Sequence, residues 1–181
     1  MSKASRAAVT GKATRIFLTG MMGSGKSYWC KKLASALKTG AYDLDTIIEL
    51  TEEKTIAEIF ATEGEEAFRK TEARILRWFG EKQSFVLATG GGTPCFHDNM
   101  QWMNGQGITI WIDEPVDVLV ERLNKEKNHR PLISTKSDEE LHQFLSSILK
   151  KREAFYCQAK HHLQGDQITE KNLIAILKQY A

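Results

Sequence analysis

The chain has 181 residues, 41% apolar and 27% charged, a length that suits one domain with a sizeable core and a composition that excludes a disordered or fibrous protein. A formal net charge of +2 is too small to favour nucleic acid or an anionic membrane surface as partner. No apolar run approaches the roughly 20 residues of a membrane span, and the polar, basic start from Met1 to Lys12 lacks the apolar stretch of a secretory signal.

Residues 1–13 read as an extension outside the domain, which spans 14–181. Thr14 to Thr19 is a short buried strand, and Gly20-Met21-Met22-Gly23-Ser24-Gly25-Lys26-Ser27 follows it as G-x-x-x-x-G-K-S. Between a strand and a helix this is a phosphate-binding loop. Glycines let successive N–H groups turn inward around phosphate oxygens, and the helix N-terminus adds partial positive charge. Lys26 then reaches the β- and γ-phosphates, and the Ser27 hydroxyl can ligate Mg²⁺. A glycine-rich turn that merely joins strand to helix would not need Lys and Ser as well. The chain is therefore expected to bind a nucleoside triphosphate through Gly23, Ser24, Gly25, Lys26, Ser27 and Tyr28.

The helix over Tyr28–Leu37 has Trp29, Leu33, Ala36 and Leu37 at helical spacing. Ala41 to Leu44 is a second strand running into Asp45. Asp43 and Asp45, two apart in an extended stretch, should point the same way over the sheet edge. One carboxylate could hold Mg²⁺ through water while the other orients an attacking hydroxyl; the alternative is that Asp45 only caps the next helix. Thr55 to Glu58 forms a capping box, and Glu65–Glu81 is an amphipathic helix with Phe68, Ile75, Leu76 and Phe79 on one stripe.

Ser84 to Ala88 is a continuous apolar run, hence a buried parallel strand, and it ends in Thr89-Gly90-Gly91-Gly92, either a ligand-facing backbone or a plain tight turn. Asp98 is expected to cap a short helix bearing Met100 and Met103. Ile108–Ile112 is another strand, Pro115 opens a helix to about Asn124, and residues 125–138 form a polar lid. A long helix covers Asp138 to Tyr156, a strand lies near His161 to Leu163, and Thr169 caps the last helix. Alternating strands and helices predict a parallel sheet covered on both faces, with the functional loops at the strands' carboxyl ends.

Phosphoryl transfer needs more positive charge than one lysine supplies. Arg130 sits in the lid, and Arg122 on the preceding helix could lie on an adenine ring. Arg69 and Arg152, far apart in sequence, suggest an anionic substrate gripped by planar forks. The histidines are scattered and suit surface roles, and Cys30, Cys95 and Cys157 are widely spaced without a Cys-x-x-Cys pair, as in a reducing cytosol.

GMMGSGKS, Asp43-Leu44-Asp45, Gly64-Glu65-x-x-Phe68-Arg69-x-x-Glu72, Gly90-Gly91-Gly92, Arg130-Pro131-Leu132 and Arg152-x-x-x-Tyr156, in this order, resemble the motifs of the shikimate kinases of aromatic amino-acid biosynthesis. The resemblance covers nearly everything from Thr14 onward and implies a three-layer α/β/α P-loop kinase fold. Its sheet would have five parallel strands in the order 2-3-1-4-5. The implied reaction moves the γ-phosphoryl group of ATP to the 3-hydroxyl of shikimate, in a cytoplasmic monomer using Mg²⁺. Asp45 would orient that hydroxyl, and Arg69 and Arg152 would grip the carboxylate. Gly91 and Gly92 would contact the ring side, with Glu72 holding Arg69. Ser27, with Asp43 through water, would serve Mg²⁺; Lys26 and Arg130 would stabilise the transferring group, and Arg122 would meet adenine. Two positions depart from the pattern: Ala154 stands where a proline is usual, and Ile133 follows the lid's Arg130-Pro131-Leu132 in place of a second Leu. Neither removes a group with a chemical role. A kinase for another hydroxy acid such as gluconate, and a non-catalytic ATP-binding regulator, are the rival expectations.

Overall fold

In a computed structural model, which describes residues 14–125 and 133–180, β1 (Arg15–Thr19), β2 (Gly40–Asp43), β3 (Phe85–Ala88), β4 (Ile108–Asp113) and β5 (His161–Gln164) pair side by side in the order β2-β3-β1-β4-β5. Every pairing is parallel, with Phe17 level with Leu87 on one side and Thr109 on the other. The expected strand order is observed.

Strand alternation divides the core. Ile16, Leu18, Val86, Ile110 and Ile112 face α1 (Lys26–Leu37) and α8 (Glu170–Lys178), where Leu33, Leu173 and Ile176 complete the layer. Phe17, Phe85 and Leu87 face the other way, onto α2 (Leu44–Glu52), α3 (Ile56–Thr62), α4 (Gly64–Trp78) and α5 (Asn99–Gln106). A third cluster joins Trp111 to α6 (Val116–Lys125) and α7 (Asp138–Tyr156) through Leu119, Leu123, Leu141, Leu145 and Tyr156. Because both sheet faces are covered, the strands read as apolar runs rather than alternating ones.

Local signals explain the helix boundaries. Thr55 and Glu58 form the expected capping box, and Ser137 with Glu140 forms another that opens α7. Thr169 accepts from the Asn172 N–H to start α8. Asp98 does occupy the N-cap position of α5, but at φ 53° its side chain makes no capping bond.

The helix expected over Glu65–Glu81 ends at Trp78, with a 3-10 turn over Phe79–Glu81, and a second boundary shift bears on the site. The chain turns helical at Leu44, so Asp45 lies in the first turn of α2 rather than in an extended stretch. The buried pair Leu44 and Ile48, four apart, fixes that helix face against the sheet. Asp43, not Asp45, occupies the N-cap position, and its carboxylate is used elsewhere.

The phosphate loop depends on its first glycine. Gly20 has φ 137°, and a Cβ there would run into the Ile112 carbonyl of the neighbouring strand. Gly20→Ala is therefore expected to lower the unfolding free energy by about 2–4 kcal/mol in chemical denaturation, the sum of a positive-φ cost and a steric one. An unchanged denaturation midpoint would show that the loop can move away from β4.

Candidate active site

A cleft of about 440 Å³ opens at the carboxyl ends of β1, β2 and β3, lined by the phosphate loop, Tyr28, Asp43, Asp45, Thr89, Gly90, Gly91, Arg122 and Lys125. That size is within the usual range for small-molecule sites, and the position is where parallel sheets place ligands. A separate concavity of about 360 Å³ between α6 and α7, lined by Asp117, Val120 and His142, contains none of the expected site residues.

On the nucleotide side, Gly23 and Gly25 both have positive φ, and Gly25 sits at the N-cap of α1. The Lys26 ammonium donates to the Gly20 and Met21 carbonyls at 2.9 and 2.8 Å, so it lies folded along its own loop. The Ser27 hydroxyl donates to Asp43 Oδ2 at 2.5 Å, bringing together the two residues expected to serve a metal ion. Tyr28 is 57% exposed at the cleft rim and meets Trp29 edge-on. Arg122 donates to the Gly23 carbonyl at 3.2 Å and to Glu114 Oε1 at 2.8 Å, which holds the guanidinium beside the loop. Arg130 falls within 126–132, outside the described residues.

The other half of the cleft is organised by Gly90-Gly91-Gly92. A Cβ at Gly90 would stand 2.7 Å from Asp45 Oδ1, at Gly91 3.0 Å from Arg152 Nη1, and at Gly92 2.6 Å from Arg69 Nη2. Side chains from α2, α7 and α4 therefore close on one strip of backbone that carries none of its own. The Gly91 position is also about 3.5 Å from the Gly20 carbonyl, so the strip touches the phosphate loop. The expected cluster of Asp45, Arg69, Gly91, Gly92 and Arg152 is thus brought together in space. The turn is tight, and its Gly90 and Gly91 line the cleft.

Arg69 is nearly buried, with Phe96 at 4.3 Å and Phe68 at 4.9 Å from its guanidinium carbon. Nη1 donates to the fully buried Glu72 at 2.9 Å, and Thr93 Oγ1 donates to that carboxylate's other oxygen at 2.5 Å. On its opposite edge Arg69 meets Glu65. Tyr156 donates to the Gly91 carbonyl at 2.5 Å, tying α7 to the glycine strip, and burial pushes its phenol far up from its ordinary value.

Sequence reasoning gave no role to Glu114, Thr93, Glu65 or Tyr156. Glu65 had a usable signal, four residues before Arg69 on one helix. Glu114 and Thr93 had none, because their partners are distant in the chain or across a turn.

Asp45 is the most perturbed acid in the cleft. Burial first, then the charges of Asp43 and Glu72, raise it from 3.8 to about 6, against the opposing pull of Lys26. Between these values the folded chain keeps a proton that the unfolded chain has lost, so stability falls as pH rises from about 4 to 6 and then levels off. Asp45→Asn, which cannot ionise, is expected to gain on wild type across that window by about 1–3 kcal/mol in paired denaturation curves. A stability difference independent of pH would show that Asp45 keeps an ordinary affinity for protons.

A family model described as shikimate kinase matches residues 22–180. A shikimate kinase of Phocaeicola vulgatus is 44% identical over 89% of this chain and 92% of its own. One from Azobacteroides pseudotrichonymphae is 47% identical over 80% of this chain and 86% of its own. Among solved structures, the shikimate kinase of Bacteroides thetaiotaomicron superposes with a TM-score of 0.82 at 38% identity, covering 92% of this chain and 96% of that one. The Acinetobacter baumannii enzyme, solved in complex with shikimate, gives 0.79 at 32% identity and 92% of both chains. Fold, motif order and these likenesses agree: the chain belongs to the shikimate kinase family.

Proposed function

We propose that this chain catalyses ATP plus shikimate to ADP plus shikimate 3-phosphate, with the site residues in the roles that follow. The observation that carries this reading is the approach of Asp45, Arg69 and Arg152 to Gly90-Gly91-Gly92 beside the phosphate loop. A triphosphate on the loop and a small carboxylated ring on the glycine strip would lie next to each other. Among the described residues no helix is long and apolar enough to cross a membrane. We read the protein as a cytoplasmic monomer acting on two small molecules.

The donor half works by charge and position. Loop N–H groups and the α1 N-terminus hold the phosphates, while Lys26 exchanges its two carbonyl partners for phosphate oxygens. Arg122 offers its guanidinium plane to the base, Tyr28 lines the mouth, and Arg130 supplies further positive charge. Mg²⁺ suits the hard oxygen pair of Ser27 and Asp43: Ser27 would hold it directly and Asp43 through water. When bound, the ion draws charge off the β- and γ-phosphates.

The acceptor half works by orientation. Arg69 and Arg152 hold the carboxylate bidentately and Gly91 with Gly92 let the ring approach the backbone. Asp45 then accepts a hydrogen bond from the 3-hydroxyl, aiming its oxygen at the γ-phosphorus. Its raised proton affinity brings it nearer to working pH, where a general base is most effective. Closing residues 125–138 over ATP, and the Arg69 segment over shikimate, would exclude water as a competing acceptor.

ADP release should favour shikimate strongly over other hydroxy acids such as gluconate. A preference for any other acid refutes the substrate, and ATP binding without ADP release in the presence of shikimate refutes catalysis. Asp45→Asn should keep ATP affinity while lowering turnover about 10²- to 10⁴-fold; wild-type turnover would leave Asp45 without a part in the chemistry. Arg69→Ala should raise the shikimate KM about 10- to 100-fold, the loss of charge-assisted bonds. An effect confined to ATP would put Arg69 on the wrong side of the cleft.

A further inference from the structure

Arg69 has two carboxylate partners of very different permanence. Glu72 is fully buried, and both of its oxygens are engaged, one by Arg69 and one by Thr93. Glu65 instead leaves 57% of its side chain exposed. Its Oε1 alone accepts from Nε at 3.3 Å and from Nη2 at 3.1 Å. These bonds are long, and a single oxygen is shared between two donors. A carboxylate that matched the fork with both oxygens would sit nearer 2.7–2.9 Å on each.

The edge of Arg69 that Glu65 occupies is the one a carboxylate ligand needs. Glu72 takes Nη1, and Phe96 and Phe68 lie 4.3 and 4.9 Å from the guanidinium carbon. The Nε–Nη2 edge remains the side-on fork, and Nη2 is also the atom nearest the Cβ position of Gly92 on the acceptor strip. Glu65 is a carboxylate at the end of a flexible stem, held among the described residues at this edge alone. It also lies in the first turn of α4, so on leaving Arg69 it keeps a favourable position at the helix N-terminus.

We propose that Glu65 is an exchangeable stand-in for the substrate carboxylate, pairing with the Nε–Nη2 edge of Arg69 in the free protein and leaving it when shikimate binds. This rests on the reading of Arg69 as the carboxylate grip. In the free protein Glu65 satisfies the Nε and Nη2 donors of a nearly buried cation whose charge Glu72 already balances. In the complex the substrate supplies a better-matched carboxylate, and Glu65 swings into solvent. The exchange sharpens selection: an uncharged ring analogue has nothing to offer Arg69 in return for Glu65 and gains no foothold there. It also weakens shikimate binding by the strength of the pair that must be broken.

That last consequence has an unusual sign. Neutralising an acid beside the cation that grips the substrate should tighten substrate binding. Glu65→Gln is expected to lower the shikimate KM about 2- to 5-fold, the worth of one exposed ion pair, with the KM for MgATP unmoved. Titration calorimetry with shikimate should show the same gain in affinity. Raising ionic strength should shrink the difference between the two proteins. Arg69→Ala, alone and combined with Glu65→Gln, separates the two layers of the reading. In the Arg69→Ala background the Glu65 change should have no effect on the shikimate KM. If Arg69→Ala leaves shikimate binding intact, the carboxylate grip itself is misassigned. If Arg69→Ala weakens binding but Glu65→Gln raises the shikimate KM or leaves it unchanged, Glu65 stays in place in the complex and the exchange is overturned.

Discussion

The site depends on a strip of backbone without side chains. At Gly90, Gly91 and Gly92 any Cβ would meet Asp45, Arg152 or Arg69 within 3.0 Å, so one acid and two arginines can share one small surface only because the strip is bare. The strip follows β3, between β2 and β1 in the sheet, and that neighbourhood brings Asp43 and the phosphate loop to the same edge. Glycine costs backbone entropy at each such position. The hydrogen bond from Tyr156 to the Gly91 carbonyl offsets that freedom by tying the strip to α7. Arg152 stands one helical turn earlier on the same helix, so a single element both fixes the strip and delivers one of its cations.

Charge is divided along the same line. Burial first, and then the charges of Asp43 and Glu72, raise the proton affinity of Asp45. Cations on either side answer these acids: Lys26 and Arg122 beside the phosphate loop, Arg69 and Arg152 beside Gly91 and Gly92. Cys95 lies within the field of both acceptor arginines, while burial pushes its thiol up and keeps it neutral. Three of the cleft's charged side chains, Lys26, Arg69 and Glu72, are buried. Such charges are costly when unpaired, which is why Lys26 folds onto its own loop carbonyls and Arg69 holds two glutamates in the free protein.

Much of this was legible in the residues. The phosphate loop carries its own signature, and the apolar runs of β1, β3 and β4 imply a doubly covered parallel sheet. The family resemblance supplied the strand order and the pairing of Arg69 with Glu72. Asp43 and Asp45 were assigned to the right edge for a reason that fails: the chain is already helical at Leu44, and helix packing, not strand alternation, aims Asp45 into the cleft. The three residues between Gly40 and the helix start at Leu44 give too little periodicity to separate the two. Thr93 and Glu114 were invisible because their partners Glu72 and Arg122 meet them only after folding. Tyr156 and Glu65 were present in the motifs, but spacing alone could not say what a phenol or a surface carboxylate would touch.

In the function proposed above, the phosphate loop sets the donor while Asp45, Arg69, Arg152 and the bare strip set the acceptor. A crystal structure of this chain with shikimate and ADP tests it most directly. The shikimate carboxylate is expected on Arg69 and Arg152, a ring hydroxyl on Asp45, and the ring against Gly91 and Gly92. A carboxylate bound instead at Lys26 or Arg122, with Asp45 turned away from the ring, would contradict it.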